Sequence, residues 1–305
     1  MKPTLIVNLN WRELSKVGRM GKFNPLLPLE LLYVSAQLDK DKMPNRLIDL
    51  WGADKSLEDI REVIKRSELM VLSSAPSYLF WRDGTINAQL PIESVKEIKR
   101  INRNIKIILI GPHGTVMPET FFKTGVDFIV RGEPELAVPK LVKEICSGQD
   151  YKKIDGLCFI DDKEWVVSKS YAVADMEKLP VLPYDKLNLK QYSWPKDPCN
   201  WKFGRRAVYE SSRGCPYNCI FCFREGFRGK FRKKPFAKVK EELGRMKQAG
   251  VEYFYFIDET FGVDDEWTRQ VCSEIKERGM KWVCETRPEC LDREKIAYMT
   301  DSGCI

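Results

Sequence analysis

The chain has 305 residues, 43% of them hydrophobic and 31% charged. That is the balance of a globular chain with room for two domains, and it excludes a disordered or fibrous class. Net charge is +7 and uneven: residues 202–240 hold twelve Lys or Arg against Glu210 and Glu225, which leaves 39 basic against 42 acidic residues elsewhere. A positive field of that kind attracts carboxylates, phosphates or nucleic acid. No apolar run approaches the roughly 20 residues that cross a bilayer, so no membrane segment is expected. Residues 1–10 have a short apolar core interrupted by Asn8 and read as a first strand, not as a signal peptide. Ten cysteines without such a leader point to a reducing, cytoplasmic setting, where thiols serve metals more than disulfides.

In chain order, the first half alternates short apolar runs with amphipathic stretches. Strands are expected at residues 4–10, 46–51, 69–74, 105–110 and 128–130, and helices at 29–39, 57–66, 92–101, 116–123 and 136–145. Ser56 is the predicted N-cap of the second helix, with Asp59 three residues on. The run 105–110 is almost continuously apolar, as in a strand buried on both faces of a parallel sheet. Five βα units predict a doubly wound domain with right-handed crossovers. Ligands of such sheets sit beyond the carboxyl ends of the strands, here the loops 10–28, 73–91, 111–114 and 131–134. No G-x-G-x-x-G follows the first strand, which argues against a dinucleotide.

Residues 156–160 and 164–168 flank Asp161-Asp162-Lys163 and read as a hairpin. Residues 173–201 carry Pro180, Pro183, Pro195 and Pro198 without a clear period, and read as an ordered connector. The βα pattern then returns, with strands at 207–211, 252–257 and 281–284 and helices at 237–248, 267–277 and 293–301. Gly250, Gly279 and Gly303 follow the helices as stops. Cys304-Ile305 would begin a fourth strand. The expected division is 1–148, a connector at 149–205, and a second domain at 206–305.

The stretch Ser211-Ser212-Arg213-Gly214-Cys215-Pro216-Tyr217-Asn218-Cys219-Ile220-Phe221-Cys222 follows the first strand of that second domain. Closely spaced thiolates are how a chain wraps an iron–sulfur cluster. Three local ligands would leave one iron of a four-iron cluster open to a small molecule. Two other readings fit three cysteines: a buried helix face at i, i+4, i+7, or a zinc site. Gly214 and Pro216 break a helix around Cys215, and structural zinc prefers paired knuckles and four ligands. Asp258 and Glu259 end the next strand, and Glu285 and Arg287 the third, where barrel chemistry gathers. Arg213, Arg224 and Arg232 are further candidates for an anion.

The pattern C-x3-C-x-aromatic-C, with Phe221 before the last cysteine, resembles the signature of the radical S-adenosylmethionine (SAM) superfamily. That resemblance implies a (β/α) barrel and a 4Fe–4S cluster on Cys215, Cys219 and Cys222. It also implies SAM contacts from Phe221, Asp258, Glu259, Glu285 and Arg287, and an external one-electron reductant of flavodoxin or ferredoxin type. The family usually builds six βα units, so this chain covers about half of them and reads as a fragment of a longer protein.

The first half, with Asn24-Pro25-Leu26-Leu27-Pro28-Leu29-Glu30-Leu31-Leu32-Tyr33, Gly111-Pro112-His113 and Arg131-Gly132-Glu133-Pro134-Glu135, resembles the cobalamin-binding domain ahead of that barrel in many radical SAM enzymes. Its implied cobalamin contacts are Ser73, Ser74, Gly111, Pro112, His113, Gly114, Gly132 and Glu133. The D-x-H-x-x-G motif of better-known cobalamin domains is absent, and His113 is the only histidine. The expected fold is therefore α/β: an N-terminal doubly wound flavodoxin-like parallel sheet followed by an incomplete (β/α) radical SAM barrel. The resemblance implies a cobalamin-dependent radical SAM enzyme that cleaves SAM and transfers a methyl group to an unactivated carbon of a small-molecule or peptide substrate. Cyclisation or rearrangement with the same cofactors, and a non-catalytic cobalamin and iron–sulfur module, are the alternatives. The basic stretch 228–240 raises RNA modification as well, but no RNA-binding module is visible, so no nucleic-acid partner is expected.

Overall fold

The structure, a computed structural model, describes residues 2–12, 25–76, 88–192, 204–220, 222 and 228–305. It divides into two compact units, Met1–Pro180 and Val181–Ile305. No described helix is long and apolar enough to cross a membrane, and no described cysteine is in a disulfide.

The first unit runs β1 (Thr4–Asn8), α1 (Leu29–Lys40), β2 (Asn45–Asp49), α2 (Leu50–Ala53), α3 (Arg61–Arg66), β3 (Leu69–Ser73) and α4 (Gln89–Ile101). It continues with β4 (Lys106–Ile110), α5 (Pro112–Val116), β5 (Phe128–Val130), α6 (Pro134–Ser147), β6 (Leu157–Asp161) and β7 (Glu164–Val166). These strands form one seven-stranded sheet in the order β2-β1-β3-β4-β5-β6-β7. The first five are parallel; β6 and β7 are added antiparallel at the β5 edge.

Why both faces are covered follows from the period of two along each strand. Leu5, Val7, Met70, Leu72, Ile107, Leu109 and Ile129 point to one face, where they meet Trp51, Ile60, Ile64, Val95 and Ile98 of the α2–α4 side. Ile6, Val71, Ile108, Ile110, Phe128 and Val130 point to the other, against Leu31, Val34 and Leu38 of α1 and Val138, Leu141 and Val142 of α6. Each such Leu, Ile or Val contributes about 1.5–3 kcal/mol by leaving water.

Four expectations change. The hairpin placed between the domains is the far edge of the first sheet, its turn made by Asp162 and Lys163 with φ of 45° and 71°. Such a left-handed pair matches the twist of the strands it joins. The helix expected at 116–123 is replaced by α5 and a 3-10 turn, Pro118–Phe121, because Pro112 starts a helix early and Pro118 cannot continue it. The strand expected at 46–51 ends at Asp49, whose side chain caps α2 by accepting from the Gly52 amide at 3.0 Å. Ser56 does not cap an α-helix either; its amide and hydroxyl both donate to Asp59 at 2.8 Å ahead of a 3-10 turn.

The second unit runs β8 (Arg205–Tyr209), β9 (Ser212–Arg213), β10 (Arg232–Lys233), α7 (Phe236–Gln248), β11 (Val251–Phe256), α8 (Asp265–Arg278), β12 (Lys281–Val283) and α9 (Arg293–Asp301). β8, β11 and β12 are parallel neighbours, and a parallel bridge from Trp282 to Cys304 continues the series where a fourth strand was expected. Tyr209, Phe254, Phe256, Phe261 and Trp282 pack edge-on and tilted against one another as its core, with centroids 4.5–5.9 Å apart. Gly250 and Gly279, at φ of 80° and 60°, close the ends of α7 and α8. Asp264 and Asp292 cap α8 and α9 by accepting from Trp267 and Lys295 amides.

Candidate functional site

The cysteine loop leaves the carboxyl end of β8 through a narrow neck. There β9 pairs antiparallel with β10, Ser212 opposite Lys233 and Arg213 opposite Arg232, and the Lys234 amide donates to the Ser211 carbonyl at 3.0 Å. Gly214 turns the chain out of the neck at φ of 78°, where a Cβ would collide with the Lys230 carbonyl; only glycine fits. Cys215 and Cys219 are partly exposed and Cys222 is exposed. Cys215 Sγ lies 3.3 Å from Thr260 Oγ1. Cys219 Sγ accepts from Arg287 Nη1 at 2.9 Å, and its carbonyl accepts from the Cys222 amide at 3.0 Å.

Beneath the loop lies a knot of buried charge. Glu210, fully buried, accepts from Arg213 Nε at 2.8 Å and pairs with Arg228. Arg228 reaches Glu259 Oε1 at 3.5 Å, and Glu259 Oε2 accepts from the Gly214 amide at 2.9 Å. Burial raises the Glu210 pKa, but the guanidinium groups of Arg213 and Arg228 and the Lys234 ammonium outweigh it and hold the carboxyl at about 2. Lys234, also buried, donates to Glu242 at 2.6 Å, and the Tyr209 hydroxyl donates to the same carboxylate at 3.0 Å. Burial lifts Glu242 despite that lysine.

Arg213, Arg228 and Lys234 are three of the twelve cations that suggested a positive field, and they are internal. The run is basic in sequence, but part of its charge is spent on Glu210, Glu242 and Glu259. Nothing in a linear count reveals this. The one available signal was Glu210 itself, an acid directly after the apolar end of a strand and three residues before an arginine.

The predicted SAM-site residues separate into two levels. Asp258 is buried, and its carboxylate accepts from the Ser211 amide at 2.8 Å, Ser211 Oγ at 2.6 Å and Ser212 Oγ at 2.5 Å. Burial raises it to about 6 against those hydrogen bonds. Glu259, Glu285 and Arg287 are more exposed. Glu285 accepts from the Tyr255 hydroxyl at 2.5 Å; Arg287 joins Cys219 to Glu289 and covers the Tyr217 ring. Phe221 and Arg224 lie outside the described residues. Arg232 donates to the Arg228 carbonyl at 2.7 Å. The loop's contacts with Thr260 and Cys290 were missed; neither stands out in sequence. Among the described residues, no three His, Cys, Asp or Glu side chains converge as ligands of one metal ion would. A four-iron cluster asks for a different arrangement, one sulfur on each of several irons.

In the first unit, the eight residues expected to contact cobalamin lie at or just past the carboxyl ends of β3, β4 and β5. The Ser74 amide donates to the Ile110 carbonyl at 2.8 Å. Ser74 Oγ accepts from the His113 amide at 3.1 Å, and the Ser74 carbonyl contacts His113 Nδ1 at 2.5 Å. A carbonyl only accepts, so the ring proton is on Nδ1 and Nε2 is the acceptor. Burial lowers the His113 pKa, keeping the ring neutral. Gly111, at φ of 97°, brings its backbone so close that a Cβ would sit 2.8 Å from Ser74 Oγ. Thr115 Oγ1 donates to the Gly111 carbonyl at 2.9 Å and accepts from the Gly132 amide at 3.0 Å, linking two of the loops. Pro112 is the first residue of α5, and Gly114 packs against Ile129 and Leu109. Ser73 Oγ donates to the Ala75 carbonyl at 2.7 Å. Glu133 is buried and turns inward, accepting from the Ala174 amide at 2.7 Å.

Residues 209–305 match the Radical SAM superfamily model. The matched span starts at the end of β8 and contains the cysteine loop, the charge knot and both following strand ends. Residues 209–305 belong to the radical SAM superfamily. Along most of its length the chain is similar to the uncharacterized methyltransferase PH0819 of Pyrococcus horikoshii, at 27% identity over 285 residues, 91% of this chain and 59% of that protein. Its fold is similar to that of the radical SAM methyltransferase TsrM of Kitasatospora setae, solved with cobalamin and a [4Fe-4S] cluster bound: TM-score 0.75, 16% identity, 99% of this chain and 60% of that one. It is also similar in fold to the cobalamin-dependent SAM radical enzyme OxsB, solved with aqua-cobalamin and SAM: TM-score 0.71, 19% identity, 99% of this chain and 43% of that one. The chain thus spans about three fifths or less of the proteins it matches.

Proposed function

We propose that the chain is the cofactor-binding portion of a cobalamin-dependent radical SAM methyltransferase, acting at an unactivated carbon of a small-molecule or peptide substrate in the cytoplasm. The observation that carries this reading is the C-x3-C-x2-C loop at the carboxyl end of β8, its thiols outside any disulfide and two of them contacted by side chains from the ends of neighbouring strands. Sulfurs that are at least partly exposed and in no disulfide suit a cluster ligand set. In this reading the second unit is the first half of an incomplete (β/α) barrel. The strand order 2-1-3-4-5 supports a flavodoxin-like first domain, whose ligand site is the crevice past the β1 and β3 ends.

Cys215, Cys219 and Cys222 would hold a 4Fe–4S cluster. Phe221, Glu259, Glu285 and Arg287 would line the SAM site, with Asp258 fixing the serines beneath it. Ser73, Ser74, Gly111, Pro112, His113, Gly114, Gly132 and Glu133 would form the cobalamin cradle. When bound, the cluster supplies an electron for reductive cleavage of SAM, and cobalamin supplies the methyl group. The chain's own part is to hold and orient. Gly214 and the Glu210 knot fix where the loop starts, while Gly111 lets a broad ligand approach the backbone closely.

The test is anaerobic reconstitution with iron and sulfide, with cobalamin added separately. A brown cluster band, a corrinoid band and SAM cleavage are expected from the wild-type chain, and Cys219→Ala is expected to lose the first and the last. A Cys219→Ala chain that binds iron and cleaves SAM at the wild-type rate would refute the assignment.

A further inference from the structure

Arg287 lies in the turn after β12, and its guanidinium is engaged on three sides. Nη1 donates to Cys219 Sγ at 2.9 Å. Nη2 and Nε donate to the two oxygens of Glu289 at 3.0 and 3.2 Å. The face of the group covers the Tyr217 ring, 4.3 Å from its centroid. Tyr217 is fastened in turn, its hydroxyl 3.0 Å from Cys290 Sγ. A planar, permanently charged fork can serve a sulfur, a carboxylate and a ring together; an ammonium cannot. The side chain is therefore held where it touches the sulfur, although a third of it is exposed.

We propose that Arg287 is a positioning residue that sets the reduction potential of the cluster on Cys215, Cys219 and Cys222, through the charge and N–H it places on the Cys219 sulfur; this rests on the cluster reading above. Reduction adds one electron, and so one negative charge, to the cluster and its sulfur ligands. A fixed cation and a hydrogen bond at one sulfur favour the reduced form, which raises the potential. Glu289 works in the opposite direction, since its carboxylate offsets part of the guanidinium charge. It stands farther from the sulfur and its side chain is 60% exposed, so water weakens its effect.

The test is a dithionite titration of the anaerobically reconstituted chain, followed by electron paramagnetic resonance after iron and sulfide have been counted. Arg287→Ala is expected to titrate at a more negative midpoint than wild type. Arg287→Lys keeps the charge without the fork and is expected between the two. Glu289→Gln is expected to shift the midpoint in the positive direction, by less. Opposite shifts from two adjacent substitutions do not arise from a general loosening of the loop. A wild-type midpoint in Arg287→Ala at full iron content overturns this inference alone. A wild-type chain that takes up no iron overturns the cluster reading and this inference with it. Should Arg287→Ala assemble too little cluster to titrate, Glu289→Gln decides, and the absence of a positive shift overturns the inference.

Discussion

The two units fasten their strand-end loops by different means. In the first, the loops after β3, β4 and β5 are tied by neutral groups: Ser74 to His113, and Thr115 to Gly111 and Gly132. In the second, the equivalent region is tied by buried ions, Glu210 with Arg213 and Arg228, and Lys234 with Glu242. Neutral ties give a cradle that changes little with salt, and that weakens with acid only where the buried, neutral His113 must take up a proton below its ordinary 6.5. Ionic ties are stiff when complete and costly when one partner is missing, because the remaining charge stays buried.

The largest expected effect follows from that asymmetry. Glu210→Gln takes the paired carboxylate from buried Arg213 and leaves Arg228 with Glu259 at 3.5 Å, and is expected to cost about 3–5 kcal/mol, read as a lowered urea midpoint. A loss below about 1 kcal/mol would mean that the knot is not what holds the neck.

The pH dependence comes next, and within the second unit two carboxyls pull in opposite directions. Glu210 sits at about 2 against an ordinary 4.5, so its contribution is present above 4.5 and is lost as pH falls toward 2. Asp258 sits at about 6 against 3.8, so the folded chain binds that proton more tightly, and its contribution is present at low pH and lost as pH rises from 3.8 to about 6. Each swing is worth about 3 kcal/mol. Asp258→Asn is expected to lessen the decline between those values, with the share of Glu242, also lifted by burial, remaining, and to leave the acid loss below 4.5 in place, as followed by urea unfolding at a series of pH values.

The smallest effect belongs to the neutral cradle. Ser74→Ala deprives the buried His113 amide of its acceptor and is expected to cost about 1 kcal/mol, with no change in the pH profile. A larger or pH-dependent loss would erase the contrast between the units.

How far the sequence carried this fold can be judged from particular residues. The apolar run at β4 announced a strand buried on both faces, and the glycines after α7 and α8 marked their ends, because both are local properties of the chain. The cysteine spacing likewise needed no partner to be recognised. The antiparallel addition of β6 and β7 was not legible, since a hairpin looks the same whether it stands alone or completes a sheet. The role of Arg213, Arg228 and Lys234 was hidden for a similar reason: their partners Glu210, Glu242 and Glu259 lie 3 to 31 residues away and meet them only in three dimensions. Arg287 was found by its place at a strand end, but its contact with Cys219 spans 68 residues.

The neck formed by β9 and β10 has a practical consequence for handling the protein. The strand pairing and the ion pairs beneath it close the cysteine loop independently of the thiols themselves. Air damage to those thiols would therefore leave circular dichroism and unfolding midpoints almost untouched. A sample can pass every check of foldedness while having lost its capacity for metal, so a thiol titration on each preparation is the informative control.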